Sequence, residues 1–504
     1  MPKRYLEKIL KARVYDVAIE TPMDRMPRLS ARMTNDIWLK REDLQPVFSF
    51  KLRGAYNKIA QLNDEQRRRG VIAASAGNHA QGVALSAQRL GIKATIVMPK
   101  TTPGIKVDAV QARGSKVILH GDTYDEACDH ALTLADEKAL CFIHAYDDPE
   151  VIAGQGTIAA EILNRQPQPD IIFVPVGGGG LIAGVAAYCK TLYPDIKIIG
   201  IEPDDAPCMY EALKNKRRIT LKQVGIFADG VAVRQAGKEP YRIARQCVDE
   251  IILVSPDEIC AAIKDIFDDT RSIAEPAGAL AIAGAKKYIG QKNLKNKRLV
   301  TICSGANINF DRLRHVAERA EVGERREALL AVTIPEKPGS FLKFCRILGK
   351  RSITEFNYRL ADSKQAHIFV GVELSGGEQQ KNDLIHQLED KKYPVTDMTD
   401  NEMAKLHVRY MVGGHSDSDG SEILYRFEFP ERPGALLQFL SCIGQRWNIS
   451  LFHYRNHGAA YGRVLVGIQV ADTDKKRLDG YFDSLGYKYW EETDNPAYNL
   501  FLGS

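Results

Sequence analysis

Ser49-Phe50-Lys51-Leu52-Arg53-Gly54 puts a lysine at the start of an amphipathic stretch. Leu52, Ala55, Tyr56, Ile59 and Leu62 recur at helical spacing, and Ser49 is a candidate cap two residues ahead of the lysine. A cation there meets the positive end of the helix macrodipole. The position therefore favours a neutral amine, the state in which a lysine bonds an aldehyde. Ser75-Ala76-Gly77-Asn78-His79 lies between a strand run and a helical run, and its amides face a helix entrance, a ready anion site. Asn78 can donate to a ligand oxygen, accept from one, or serve only the turn. Gly177-Gly178-Gly179-Gly180-Leu181 follows the apolar run Ile171 to Val176 and lets backbone amides wrap a phosphate closely. No Gly-Lys-Ser/Thr follows it and the dinucleotide glycine spacing is absent, so the cradle suits a phosphate without an accompanying metal. Cys303-Ser304-Gly305-Ala306-Asn307 ends a further strand with a hydroxyl that could face a ligand ring or close a turn.

Taken together these groups fit pyridoxal 5'-phosphate: Lys51 for the aldehyde, Gly177, Gly178, Gly179, Gly180 and Leu181 for the phosphate, Asn78 for the ring oxygen and Ser304 for the ring nitrogen. The same motifs resemble the fold-type II family of pyridoxal-phosphate enzymes. With a doubled C-terminal module, the resemblance is to the biosynthetic threonine dehydratase family and covers essentially the whole chain. It implies a lyase that deaminates L-threonine, and also L-serine, to a 2-oxo acid and ammonia, 2-oxobutanoate in the case of threonine, at the entrance to isoleucine biosynthesis. Lys51 would hold the resting cofactor and act as base on the α-proton, with Phe50 packed beside the cofactor. The amides of Ser75, Ala76, Gly77, Asn78 and His79 would hold the substrate carboxylate. Racemases that look similar carry a serine where this chain has Ala76, so racemisation should be poor. A neutral Ser304 hydroxyl holds a pyridinium less well than an aspartate would, which favours direct loss of the β-hydroxyl over transamination. The resemblance further implies isoleucine as inhibitor, valine as activator, Tyr358 and Tyr454 as effector contacts or paired core tyrosines, and a homotetramer. A serine/threonine dehydratase without feedback, or an amino-acid sensor on a relic catalytic domain, are the competing readings.

The elements that must position these groups follow from apolar period. Val71 to Ala74, Thr95 to Met98, Val117 to Leu119, Ile171 to Val176, Ile198 to Ile201 and Leu299 to Cys303 read as strands, with helices between them. Gly91 ends one helix, and Thr102-Pro103, cap then proline, opens another that Gly114 closes. Continuous apolar strands alternating with helices predict an α/β catalytic domain built on a mostly parallel sheet, over residues 1–320. Beyond a charged helix from Arg312, Ile334-Pro335-Glu336-Lys337-Pro338-Gly339 is echoed by Phe429-Pro430-Glu431-Arg432-Pro433-Gly434, and Phe356-Asn357-Tyr358-Arg359 by Phe452-His453-Tyr454-Arg455. The repeat predicts tandem ferredoxin-like (ACT-like) α+β modules at 328–400 and 423–494, joined by a polar linker from Gly413 to Gly420. Binding or assembly, rather than chemistry, is the expectation for such a pair.

Composition narrows the rest. A net charge of +5 from 69 basic and 64 acidic residues is too small for a nucleic-acid footprint. Nine cysteines with no C-x-x-C spacing argue against a disulfide framework or a zinc knuckle, and point to a reduced, cytoplasmic setting. No metal site and no membrane partner are expected. Ile171 to Cys189 is uncharged and nearly long enough to span a bilayer, but Pro175 and four glycines interrupt it.

Overall fold

The computed structural model describes residues 2–165, 168–335, 344, 347–348, 351, 353–359, 365–410, 422–430, 447–455 and 461–502. The chain divides into two compact units, Met1–Ala320 and Glu321–Ser504.

The first unit holds two sheets. Strands β1 (Met23–Arg25), β2 (Asp36–Arg41), β7 (Ile171–Pro175), β8 (Lys197–Pro203), β9 (Glu250–Val254) and β10 (Arg298–Cys303) form the larger, in the order β1-β2-β10-β7-β8-β9. Strands β3 (Val71–Ala74), β4 (Ala94–Met98), β5 (Lys116–Leu119) and β6 (Cys141–Phe142) form the smaller, in the order β5-β4-β3-β6. Every pairing is parallel except that of β1 with β2. The predicted parallel pairing is present, but the strands divide between two sheets where the apolar pattern suggests one. Both faces of each sheet are buried at the central strands. On β7, Ile172 and Val174 join one core and Ile171 and Phe173 another. On β3, Val71 and Ala73 face one core and Ile72 and Ala74 its opposite. That double burial is why these runs are apolar at every position. The uncharged window resolves into β7, the glycine loop and the helix Gly180–Leu192. Among the described residues no helix is long and apolar enough to cross a membrane.

Glycines set the spacing of the helices that carry the site. A Cβ on Gly154 would stand 2.8 Å from Gly54 Cα, and one on Gly184 would stand 2.7 Å from Gly156 N. The helix Lys51–Ala60 therefore nests on Pro149–Leu163, which nests in turn on Gly180–Leu192. Lys51 starts the first of these helices and the glycine cradle starts the third.

The second unit contains two four-stranded antiparallel sheets. Strands β11 (Glu327–Pro335), β12 (Ile353–Arg359), β13 (Gln365–Glu373) and β14 (Val395–Asp397) order as β12-β13-β11-β14. Strands β15 (Glu422–Pro430), β16 (Asn448–Arg455), β17 (Tyr461–Gln469) and β18 (Lys488–Glu491) order as β16-β17-β15-β18. Both are the ferredoxin-like order that the repeat predicts. Side chains alternate across each strand. Ala328, Leu330 and Val332 of β11 face the first module's own core, whereas Leu329 and Ala331 join a second core shared with Leu424, Leu465, Tyr498 and Phe501. The two modules thus pack through that shared core. Asn401 and Asn495, the N-caps of Glu402–Leu406 and Pro496–Phe501, meet there, with Nδ2 of Asn401 donating to Oδ1 of Asn495 at 3.0 Å. The backbones of Tyr358 and Tyr454 pair with Ile368 and Val464 at equivalent places in the two sheets. Their side chains, the Pro-Gly turns at 337–339 and 432–434 and the linker at 413–420 lie outside the described residues.

Candidate active site

The last strand of the large sheet delivers the lysine. Past β10, Ser49 and Gly305 form an antiparallel bridge. Phe50 N–H donates to Ser304 O at 3.2 Å, and Ala306 N–H donates to Phe48 O at 2.9 Å. Phe48 takes φ 55°, a left-handed conformation costly for an aromatic residue, and turns the chain into this bridge. The residue before Lys51 is thereby bonded to Ser304, and Lys51 and Ser304, distant in sequence, reach one cleft. Phe50, and not Ser49, occupies the N-cap position of the lysine helix, and the Ser49 hydroxyl accepts only a long 3.4 Å bond from Lys51 N–H. Arg53 points away from the cleft. It is buried with Glu42, Glu161 and Lys40 in an ion-paired cluster that seats the helix start against β2.

One cleft of about 500 Å³, its open mouth included, is lined by Phe50, Lys51, Asn78, Gly177, Gly178, Gly179, Gly180, Leu181 and Ser304. Residues chosen for four separate chemical reasons thus converge. Lys51 Nζ donates to Gly230 O at 3.2 Å. Desolvation pushes its pKa down, against the pull of the Glu275 and Asp229 carboxylates. Burial rather than the helix dipole alone thus favours the neutral amine. Ser304 Oγ donates to Ala277 O at 3.2 Å.

Gly179, at φ 94°, turns β7 into the helix Gly180–Leu192, whose first-turn amides have no partner within the helix. A Cβ on Gly178 would stand 2.3 Å from the Tyr146 ring, and one on Gly177 2.9 Å from Val231 Cα. Side chains are excluded from Gly177 to Gly180, leaving backbone amides to meet a ligand. Beside it Gln155 is buried, and its Oε1 has no hydrogen-bond partner among the described residues. An unmet polar group of this kind suits a polar ligand. A depressed lysine, amides held bare by glycine and a polar orphan fit pyridoxal phosphate by their chemistry.

Ser75, Ala76, Gly77 and His79 are not among the cleft-lining residues. Ser75, Ala76 and Gly77 are part-exposed, and the Ser75 hydroxyl accepts from Gly77 N–H at 3.2 Å. The His79 ring is buried, with Nε2 set 2.8 Å from Ile143 O, and burial lowers its pKa from 6.5 to about 3. The imidazole is therefore neutral. Thr102, the expected cap of the next helix, has a buried hydroxyl without a partner among the described residues, and that helix begins at Gly104.

Sequence reasoning overlooked Glu275 and Gln155. Glu275 lines the cleft, accepts from Asn78 Nδ2 at 2.6 Å and has its carboxyl raised to about 7, first by burial and then by Asp229. Its signal was available: Glu275 precedes Pro276 at the N-cap of an apolar helix, where Ser, Thr, Asp or Asn is the usual choice. Gln155 stands between two glycines of the helix Pro149–Leu163, again a polar group with no motif to explain it.

Residues 14–305 match the family described as pyridoxal-phosphate dependent enzyme, and residues 318–408 and 413–502 match the C-terminal regulatory domain of threonine dehydratase. The biosynthetic L-threonine dehydratase IlvA of Pasteurella multocida is 56% identical over 99% of this chain and 97% of its own length. Among solved structures, processed threonine deaminase isoform 2 of Solanum lycopersicum aligns with a TM-score of 0.63 at 50% identity, covering 64% of this chain and 88% of that one. Maize serine racemase aligns at 0.58 with 31% identity, over 62% and 96% of the two chains. The racemase aligns over about the length of the first unit, so the paired modules are what narrow the class. With both parts matched along nearly its full length, the chain belongs to the pyridoxal-phosphate-dependent biosynthetic threonine dehydratases.

Proposed function

We propose that the protein deaminates L-threonine to 2-oxobutanoate and ammonia, accepts L-serine as a second substrate, and is inhibited by isoleucine and activated by valine through its C-terminal modules. The observation that carries this reading is a cleft lined at once by Lys51, the glycine cradle and Ser304. When bound, pyridoxal phosphate supplies the electron sink that acidifies the substrate Cα–H.

The remaining work falls to the chain. Lys51 Nζ holds the cofactor at rest and takes the Cα proton during turnover; desolvation lowers its pKa and so favours the free amine that a base must be. The amides from Gly177 to Leu181 hold the phosphate at a helix N-terminus, where the macrodipole adds to the hydrogen bonds. Asn78 meets the ring oxygen, Ser304 the ring nitrogen, and Phe50 packs beside the ring. Ser75 to His79, at the start of the helix Asn78–Leu90, offer amides to the substrate carboxylate. Ala76 carries no acid for the opposite face of Cα, which supports elimination over racemisation. A homotetramer in the cytoplasm, with Tyr358 and Tyr454 contacting effectors, completes the proposal.

Release of 2-oxo acid from threonine and from serine, each with and without isoleucine, tests the reading. Threonine turnover that isoleucine suppresses is the expected result. Turnover of serine alone, with no response to isoleucine, would favour a dehydratase without feedback.

A further inference from the structure

The direction in which Asn78 presents its carboxamide is decided by a chain of neighbours. Asn307 Nδ2 lies 2.8 Å from Val47 O. A carbonyl only accepts, so the Asn307 atom facing it must be the nitrogen. The same nitrogen donates to Asn78 Oδ1 at 2.6 Å. Asn78 must then turn its own nitrogen toward Glu275, whose Oε1 accepts at 2.6 Å. Glu275 Oε2 accepts the backbone N–H of Asn307 at 3.0 Å, which closes the ring of contacts. Two glycines make room for this carboxylate. A Cβ on Gly305 would stand 2.7 Å from Glu275 Oε1, and one on Gly230 would stand 3.3 Å from it. With one N–H committed to Glu275, the Asn78 nitrogen keeps a single proton for the cleft it lines.

We propose that Asn307 and Glu275 are positioning residues that lock the Asn78 carboxamide with one N–H turned into the cleft, so that the site meets its ligand's ring oxygen with a donor. The proposal rests on the pyridoxal phosphate reading above, and the ligand atom concerned is the oxygen on the cofactor's ring. Neither residue needs to touch the ligand; each acts through Asn78. An amide free to flip would present donor and acceptor alternately and lose the preference for an acceptor oxygen.

The test compares two probes on the full-length apoenzyme: pyridoxal 5'-phosphate and its 3-deoxy analogue, which lacks the ring oxygen. Asn307→Asp is nearly isosteric but sets an acceptor against Asn78 Oδ1. It should weaken pyridoxal phosphate roughly tenfold, the scale of one hydrogen bond in a buried site, and leave the 3-deoxy analogue within about twofold. Glu275→Gln, which keeps the size of the side chain, should show the same selectivity with a smaller loss, and serves if Asn307→Asp does not fold. In an Asn78→Ala background, Asn307→Asp should cost nothing further with either probe. Equal losses for the two probes would mean general damage to the cleft, and no loss with either would mean orientation is immaterial; both results overturn the proposal. Wild-type protein that binds the two probes equally overturns it while leaving the cofactor assignment intact. Wild-type protein that binds neither overturns both.

Discussion

The two units use their buried polar groups in opposite ways. In Met1–Ala320 they converge: Asn78, Glu275, Gln155 and Ser304 all line one cleft, and Arg53, Glu42, Glu161 and Lys40 brace the helix that brings Lys51 to it. In Glu321–Ser504 they are distributed by the repeat. Glu327 and Glu422 open equivalent strands, and Glu327 pairs with Arg409 while Glu422 accepts from the Tyr498 hydroxyl. The shared core between the modules is apolar. Chemistry needs one copy of each group at one point, which a repeat does not supply. Regulation by small molecules needs elements that shift together, and two like modules sharing a core are suited to that.

Substitutions can break this contrast. Lys51→Ala should lower turnover at least ~1000-fold and remove the visible absorbance of the holoenzyme, with the unfolding of the second unit unchanged. A retained absorbance band would overturn the lysine assignment. Phe501→Ala removes a ring buried in the shared core, 5.7 Å from the Phe369 centroid. It should destabilise the second unit by about 3 kcal/mol, read by denaturant unfolding of the full chain, while turnover without effectors persists. A loss of basal turnover as deep as that of Lys51→Ala would erase the division of labour. Gly178→Ala forces a methyl against Tyr146. Its strain is roughly 1–3 kcal/mol, and it should appear as weaker cofactor retention in equilibrium dialysis; unaltered retention would show that the loop gives way freely. The last effect concerns pH. His79 is held neutral down to about 3 against 6.5 unfolded, so the unfolded chain binds the extra proton between those values. Stability is complete above pH 6.5 and declines as pH falls toward 3. Replacing His79 by Asn should flatten that decline in urea midpoints measured from pH 7 to 4; an unchanged slope would place the sensitivity elsewhere.

Much of this was readable in the chain. Lys51, the run from Gly177 to Leu181 and Ser304 were picked out by residue type and by position at a strand or helix end, and all line the cleft. The ferredoxin-like order of the second unit followed from a repeat visible at Pro335 and Pro430. Helix caps were read less well: Ser49 and Thr102 look like caps in sequence, yet neither caps its helix. Local preference worth about 1 kcal/mol yields there to the bridge that seats Phe50 and to the turn in which Thr102 N–H donates to Pro99 O. Glu275 escaped notice because an isolated glutamate before a proline has no motif, and its partners Asn78 and Asn307 come from distant segments.

By itself the sequence determined the strand and helix periods, the burial of both sheet faces, the doubled module and the cofactor class, because each is carried by residue types and by neighbours a few positions apart. Only the tertiary structure decided that the first unit has two sheets, that Ser304 shares a cleft with Lys51, that Glu275 and Asn307 clamp Asn78, and that the paired modules share a core. Those outcomes depend on which strands bridge and how closely glycine-bearing helices approach, long-range pairings that no local period encodes.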